Sequence, residues 1–146
     1  MTDHLVIERT FVGAPERVYL ALKDIDLLEH WLPPHPDMDA EITVVAEPGG
    51  VWRMHVPGEL TFEGNFVDFE LDTFVEYTWH ATAITGRWAG VAARDEAAPA
   101  SVVRIDLTPT EAGTALRLEH AGLDVDAPDE VAAIWDRCLG RLASII

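Results

Sequence analysis

Apolar and polar positions divide the 146-residue chain into a strand, two short helical stretches, six more strands and a closing helix. The clearest signal lies between Gly49 and Trp79. Three apolar, aromatic-rich runs occur there, at residues 51–56, 60–69 and 74–79, separated only by Pro57-Gly58 and Glu70-Leu71-Asp72. Short runs of this composition bounded by turn residues predict an antiparallel meander. Large side chains fall on both faces of these strands, which predicts a sheet with two apolar faces and the need for a cover. Residues 5–12, 40–46, 101–107 and 114–120 read as further strands, rich in β-branched and aromatic residues. Gly49-Gly50 reads as a turn or bulge.

Helical periodicity occurs twice. Val18, Tyr19 and Leu22, then Ile25, Leu28, Trp31 and Leu32, recur at helical spacing. Pro15 suits a first turn, Glu16 favours a helix N-terminus, and Asp24 is a candidate cap between two short helices. Pro33-Pro34-His35-Pro36 ends them. From Asp129 onward Val131, Ile134, Trp135, Cys138, Leu139, Leu142 and Ile145 share one face, with Asp136, Arg137 and Arg141 off it. That helix spans about 17 residues, roughly 25 Å. Residues 81–100 are Ala- and Gly-rich and carry Arg87-Trp88 and Arg94-Asp95-Glu96. They read as a long hairpin connection, open to strand ends extending into it. The fold class is α+β: an antiparallel sheet of about seven strands with the long helix as its cover.

Composition narrows the partners more than the fold. One domain covering residues 1–146 is expected at this length. Acidic residues number 26 and basic residues 10, for a formal net charge of −16, and Lys23 is the only lysine. Such a charge repels phosphate backbones and anionic lipid surfaces, so neither nucleic acid nor a membrane is expected as a partner. Solubility is the plainest reading of the acidity. Cys138 is the only cysteine, which excludes an internal disulfide. Neither a signal-peptide pattern nor a run of about 18 apolar residues is present, and a cytoplasmic location is expected.

The order of elements and several local motifs resemble the START-like superfamily (SRPBCC, the birch-pollen-allergen fold). Within it the chain is similar to the stand-alone domains related to activators of the heat-shock-protein-90 ATPase. The resemblance is carried by Ala14-Pro15-Glu16-Arg17-Val18-Tyr19, by Leu28-Glu29-His30-Trp31-Leu32-Pro33 and by Gly49-Gly50-Val51-Trp52-Arg53. Gly64-Asn65-Phe66-Val67-Asp68 and Glu76-Tyr77-Thr78-Trp79 extend it, as do the segment from Gly113 to His120 and Trp135 with Leu139 and Leu142. Leu32 stands where the family pattern has a second Trp. The resemblance implies a helix-grip fold, in which a curved sheet holds the long C-terminal helix around a cavity. It also implies binding of an apolar molecule such as a lipid, hormone or polyketide. Some relatives cyclise polyketides and a few act as co-chaperones, so a cyclase or dehydratase and a protein-interaction module are the alternatives. This chain lacks the second domain of the eukaryotic co-chaperones.

Residue by residue, Val75, Tyr77 and Trp79 share one strand face and Phe74, Glu76, Thr78 and His80 the other. Wall candidates for the cavity are Trp52, Met54, Phe66, Tyr77, Trp79, Leu116, Trp135 and Cys138, a set that mixes core with cavity. The parity of the strand holding Trp52 and Arg53 stays open in the sequence. If the site is catalytic, His120, His55 and Tyr77 are the acid–base candidates. A strand-end histidine bonded to backbone is the plainer reading of His120. Cys138 lies well inside its helix and reads as a buried inert thiol. His30, His35 and Asp37 have no recognised metal-ligand spacing, and Asp124, Asp126, Asp129 and Glu130 lack the glycine and distal glutamate of a calcium loop. No metal and no cofactor is expected. No nucleophile-elbow, zinc-protease, P-loop or dinucleotide fingerprint occurs.

Overall fold

The computed structural model of the protein describes residues 2–146. Strand β1 (Asp3–Phe11) leads into α1 (Pro15–Lys23) and α2 (Ile25–Trp31). Strands β2 (Glu41–Val44), β3 (Val51–Val56), β4 (Leu60–Glu70), β5 (Phe74–Ala83), β6 (Ser101–Thr110) and β7 (Gly113–Leu123) follow, and α3 (Pro128–Ile145) closes the chain. The sheet is antiparallel throughout with strand order β1-β7-β6-β5-β4-β3-β2. Six strands therefore form an uninterrupted meander, and the first strand of the chain pairs with the last. The α1–α2 pair must carry the chain from one edge of the sheet to the other. Sheet and long helix together make the helix-grip architecture, as expected.

Local chemistry sets the helix ends. Pro15 occupies the first turn of α1, where its missing N–H costs nothing. Asp24 caps α2, its Oδ1 accepting from the backbone N–H of Asp26 at 2.9 Å and of Leu27 at 3.4 Å. The Trp31 indole N–H donates to the Ala21 carbonyl at 2.7 Å, so one buried side chain ties α2 to α1. In α3, Val131, Ile134, Trp135, Cys138, Leu139 and Leu142 are all buried against the sheet. Large apolar side chains buried this fully contribute about 1.5–3 kcal/mol each.

Two expectations are corrected. The sheet does not have two apolar faces: its concave face holds the core, and its outer face carries ion pairs within and between strands. Arg104 pairs with Glu76 and Asp106, and Arg117 with Glu8 and Glu119. The impression of a second apolar face comes partly from an irregularity in β4 between Phe66 and Asp68. This bulge reverses the in–out alternation, so Phe66 and Phe69 meet edge to face at 5.9 Å instead of pointing apart. Phe74 on the outer face lies under the Arg104 guanidinium, 4.1 Å from the ring centroid. Residues 81–100 are also more ordered than a bare connection. Strand β5 runs on to Ala83, the strand end the sequence allowed, but a 3-10 helix also spans Gly86–Val91 and Ala93 bridges Val125. Trp88 accounts for this order: it is buried, and its indole N–H donates to Glu59 at 2.8 Å.

One glycine is fixed by packing. Gly64 stands opposite Trp52 across the β3–β4 ladder. A Cβ there would lie 1.9 Å from the Thr78 carbonyl oxygen, the same oxygen that accepts the Trp52 indole N–H at 2.9 Å. Gly64→Ala is expected to destabilise the protein by about 1–3 kcal/mol, the usual cost of overpacking. Urea unfolding should show a lower midpoint at unchanged slope; an unchanged midpoint would contradict this packing account.

Candidate functional site

Between the sheet and the helices lie two small apolar voids. The first, about 20 Å³, is lined by Leu22, Leu28, Trp31 and Leu32 from the α1–α2 side and by Val44, Trp52, Phe66, Tyr77 and Ile105 from the sheet. The second, about 10 Å³, is enclosed by Leu32, Phe62, Trp79 and the α3 residues Val131, Ile134, Trp135 and Cys138. A water molecule needs about 10–15 Å³ on this measure and two to four polar partners. Both spaces are therefore dry gaps of roughly single-water size. Leu32 lines both and is the partition between them.

The polar groups of this region are few, and most are occupied. Tyr77 is 7% exposed and lines the first void, and its hydroxyl makes no hydrogen bond to another protein group among the described residues. Burial, with a smaller contribution from the neighbouring Cys138, raises its pKa above the ordinary phenol range, so it stays a neutral donor and acceptor. The indoles of Trp31 and Trp52, which line the same void, are already bonded to backbone carbonyls.

His120 sits deeper, fully buried, and lines neither void. The Trp135 indole N–H donates to its Nδ1 at 3.1 Å. Indole is a donor only, so Nδ1 must be the acceptor and Nε2 must carry the proton. That proton goes to the Ser101 hydroxyl at 2.8 Å, and Ser101 donates in turn to the Trp79 carbonyl at 2.8 Å. Every member of this chain is satisfied. Burial lowers the His120 pKa to about 3, which keeps the ring neutral. The expected backbone bond is thus replaced by two side-chain bonds, which join α3 to β6 and β7.

The segment after α2 is held from α3. Arg141 Nη2 donates to the Pro33 carbonyl, and Arg137 Nε donates to the Pro34 carbonyl at 3.2 Å. The Cys138 thiol lies 3.6 Å from the Leu32 carbonyl oxygen. Burial pushes its pKa up to about 12, against the opposing pull of Arg141 and Arg137, so it is a protonated, unreactive thiol. Arg141 Nε is buried without a partner.

The residues singled out in the sequence are distributed as follows. Trp52, Phe66 and Tyr77 line the first void and Trp79, Trp135 and Cys138 the second. Met54 and Leu116 are fully buried but line neither void. Trp52 and Met54 point inward, whereas Arg53 and His55 point outward, which resolves the parity of β3. His55 Nδ1 lies 2.8 Å from the Thr61 hydroxyl, and the three acid–base candidates do not share a void. Leu22, Leu28, Trp31 and Leu32 were missed as wall residues, although their helical spacing marks them as one inward face. Among the described residues no group of three His, Cys, Asp or Glu could hold a metal ion. No helix among them is long and apolar enough to cross a membrane.

Comparison with known proteins adds a family. A family model described as Activator of Hsp90 ATPase homolog 1-like protein matches residues 13–146. No curated protein matches the chain. Among solved structures, protein CV1439 from Chromobacterium violaceum is similar at TM-score 0.79 and 24% identity, over 99% of this chain and 97% of that one. DynU16, a protein of the dynemicin biosynthetic locus, is similar at TM-score 0.73 and 17% identity, over 97% of this chain but 46% of its own. CalU16 from Micromonospora echinospora is similar at TM-score 0.66 and 20% identity, over 97% of this chain and 74% of that one. At these identities the likeness to each structure is one of fold.

The His120 chain makes a pH-dependent contribution whose sign follows from its pKa. The folded imidazole stays neutral down to about pH 3, while an unfolded histidine protonates near 6.5. Between those values unfolding takes up a proton, so the contribution of His120 is complete above pH 6.5 and declines as the pH falls toward 3. Nitrogen NMR of the ring is expected to show the Nε2–H tautomer, unchanged from about pH 8 to about pH 4. An inflection near 6.5 would contradict the assignment. Ser101→Ala removes the acceptor of the Nε2 proton and is expected to cost about 1–3 kcal/mol in chemical unfolding.

Proposed function

The chain belongs to the Activator of Hsp90 ATPase homolog 1-like family, and on that premise we propose that it binds one small apolar molecule between the sheet and its helices. Folds of this kind commonly bind hydrophobic ligands. The observation that carries the reading here is the pairing of two apolar voids, both lined by Leu32, with the Tyr77 side chain, which lines the first of them. A ligand oxygen placed against the Tyr77 hydroxyl would add one hydrogen bond to the apolar contacts. Apolar walls with one fixed polar group are the usual composition of a small-molecule site. DynU16, a protein of a biosynthetic locus, has a similar fold and is consistent with such a role.

In this structure the site is closed. Access requires Leu32 to leave its position, which would join the two spaces. Leu32 sits directly after α2 and before residues 33–36, whose carbonyls are held by Arg137 and Arg141. These are bonds from long, flexible side chains to backbone, and they can be broken and remade without unfolding the sheet or α3. The moving wall is therefore α2 with the segment behind it, while α3 stays fixed by the His120 chain.

Decanol is a suitable neutral probe, followed by native mass spectrometry and thermal shift. Leu32→Ala is expected to bind decanol at least tenfold more tightly than the native chain while losing about 2–5 kcal/mol of stability, the range for such core truncations. Leu32→Trp should abolish binding. Tyr77→Phe should weaken it about 3–10-fold, equivalent to one hydrogen bond of about 0.5–1.5 kcal/mol. Absence of decanol binding in both the native chain and Leu32→Ala would overturn the reading, as would equal binding by Leu32→Trp.

A further inference from the structure

The second void has a neighbour on the outside of the molecule. A surface groove is lined by His35, Arg87, Trp88, Glu130 and Arg137, and its inner wall is Ile134, which also lines the second void. One side chain thus separates the groove from the interior, as Leu32 separates the two voids. Through the shared lining residues Leu32 and Ile134, the first void, the second void and the groove adjoin in that order.

The groove brings two arginines together. Acidic residues outnumber basic ones by 26 to 10, so an arginine has many carboxylates to pair with. Arg9, Arg53, Arg94, Arg104 and Arg117 each form ion pairs with carboxylates. Among the described residues Arg17, Arg87, Arg137 and Arg141 do not, and of these Arg87 and Arg137 line the groove together. Arg87 stacks over the Trp88 ring at 4.9 Å from its centroid, and Arg137 uses its Nε on the Pro34 carbonyl. Both leave guanidinium N–H groups free at the groove. Among the described residues none of the carboxylates nearby forms an ion pair with either. Glu59 accepts the Trp88 indole N–H and faces the Thr85 hydroxyl, Asp37 lies 3.6 Å from His35 Nδ1, and Glu130 lines the groove without bonding either arginine.

Resting on the apolar-ligand reading above, we propose that this groove receives the anionic head of the ligand, and that the ligand class is an apolar acid carrying one carboxylate. The apolar body would pass Ile134 into the second void and, with Leu32 displaced, reach toward Tyr77. Two guanidiniums are the best protein partners for a carboxylate, because each presents paired donors in a planar fork. The net charge of the whole chain opposes an approaching anion only weakly, since its field is screened over roughly 8 Å at physiological salt. The local pair acts at contact distance. The groove is also an open mouth, so the head need not be stripped of all its water.

Decanoate and decanol differ only in the head and separate this proposal from the reading beneath it. Isothermal titration of the native chain is expected to show decanoate binding at least tenfold more tightly than decanol. Arg87→Gln, at an exposed position, should remove most of that preference without changing the thermal midpoint or the decanol affinity. Arg87→Gln/Arg137→Gln should erase the preference, and the corresponding lysine pair should restore part of it. Acetate should not bind, because the head alone lacks the apolar body. Equal or tighter binding of decanol, or a preference that survives the double substitution, would overturn the head-group assignment and leave the apolar site standing. Failure of both decanoate and decanol to bind would overturn both.

Discussion

A single chain of hydrogen bonds crosses the core, and the rest of the structure depends on it. Trp135 donates to His120, His120 to Ser101, and Ser101 to the Trp79 carbonyl. In an apolar interior each of these groups would be costly alone, and together they are fully satisfied. The consequence is directional as well as energetic. Apolar side chains would let α3 slide or rotate over the sheet at small cost, whereas the Trp135–His120 bond, with His120 itself held by Ser101, fixes it in one position. Because α3 is fixed, its partner walls α1 and α2 are where the interior can change shape. The Trp79 ring lies 4.8 Å from the His120 ring and packs on Phe62 at 4.9 Å, so the same network fixes the floor of the second void.

On the other side of the interior the bonds are of a different kind. The segment behind α2 is held by arginine donors on backbone carbonyls, and the only lysine, Lys23, lies over the Phe69 ring at 3.5 Å. Long cationic side chains hold a surface in place while remaining able to move with it. The molecule therefore has one rigid wall joined by a buried polar relay and one adjustable wall joined by surface cations. A closed, nearly void-free interior is compatible with ligand binding on these terms, because the displaced wall is Leu32 and its neighbours and not the sheet.

Much of the fold was legible in the sequence because it rests on local signals. Alternation at Val75, Tyr77 and Trp79 gave the inner face of β5, the helical spacing from Val131 to Leu142 gave the face of α3, and Pro15 and Asp24 gave the helix starts. The errors arose where a tertiary feature overrides a local one. The bulge after Phe66 reverses parity without any glycine or proline to announce it. The 3-10 helix at Gly86–Val91 depends on Trp88 reaching Glu59, a residue far back in the chain. The candidate site was less legible for the same reason. Its aromatics could be counted, but which of them face space depends on how well Leu32 and Ile134 fill the gaps between them. His120 was visible as an inward residue at a strand end, yet its neutral role required Trp135 and Ser101 to converge on its two nitrogens.

The central claim is that an apolar ligand enters by displacement of the α2 side while α3 and its relay stay fixed. Methyl NMR of the protein titrated with decanoate tests this directly. The methyl signals of Leu32, Ile105 and Ile134 are expected to shift together in a saturable manner, with contacts to the ligand chain, while the His120 ring signals remain unchanged. Shifts confined to surface residues, or loss of the His120 signals in step with binding, would contradict the account.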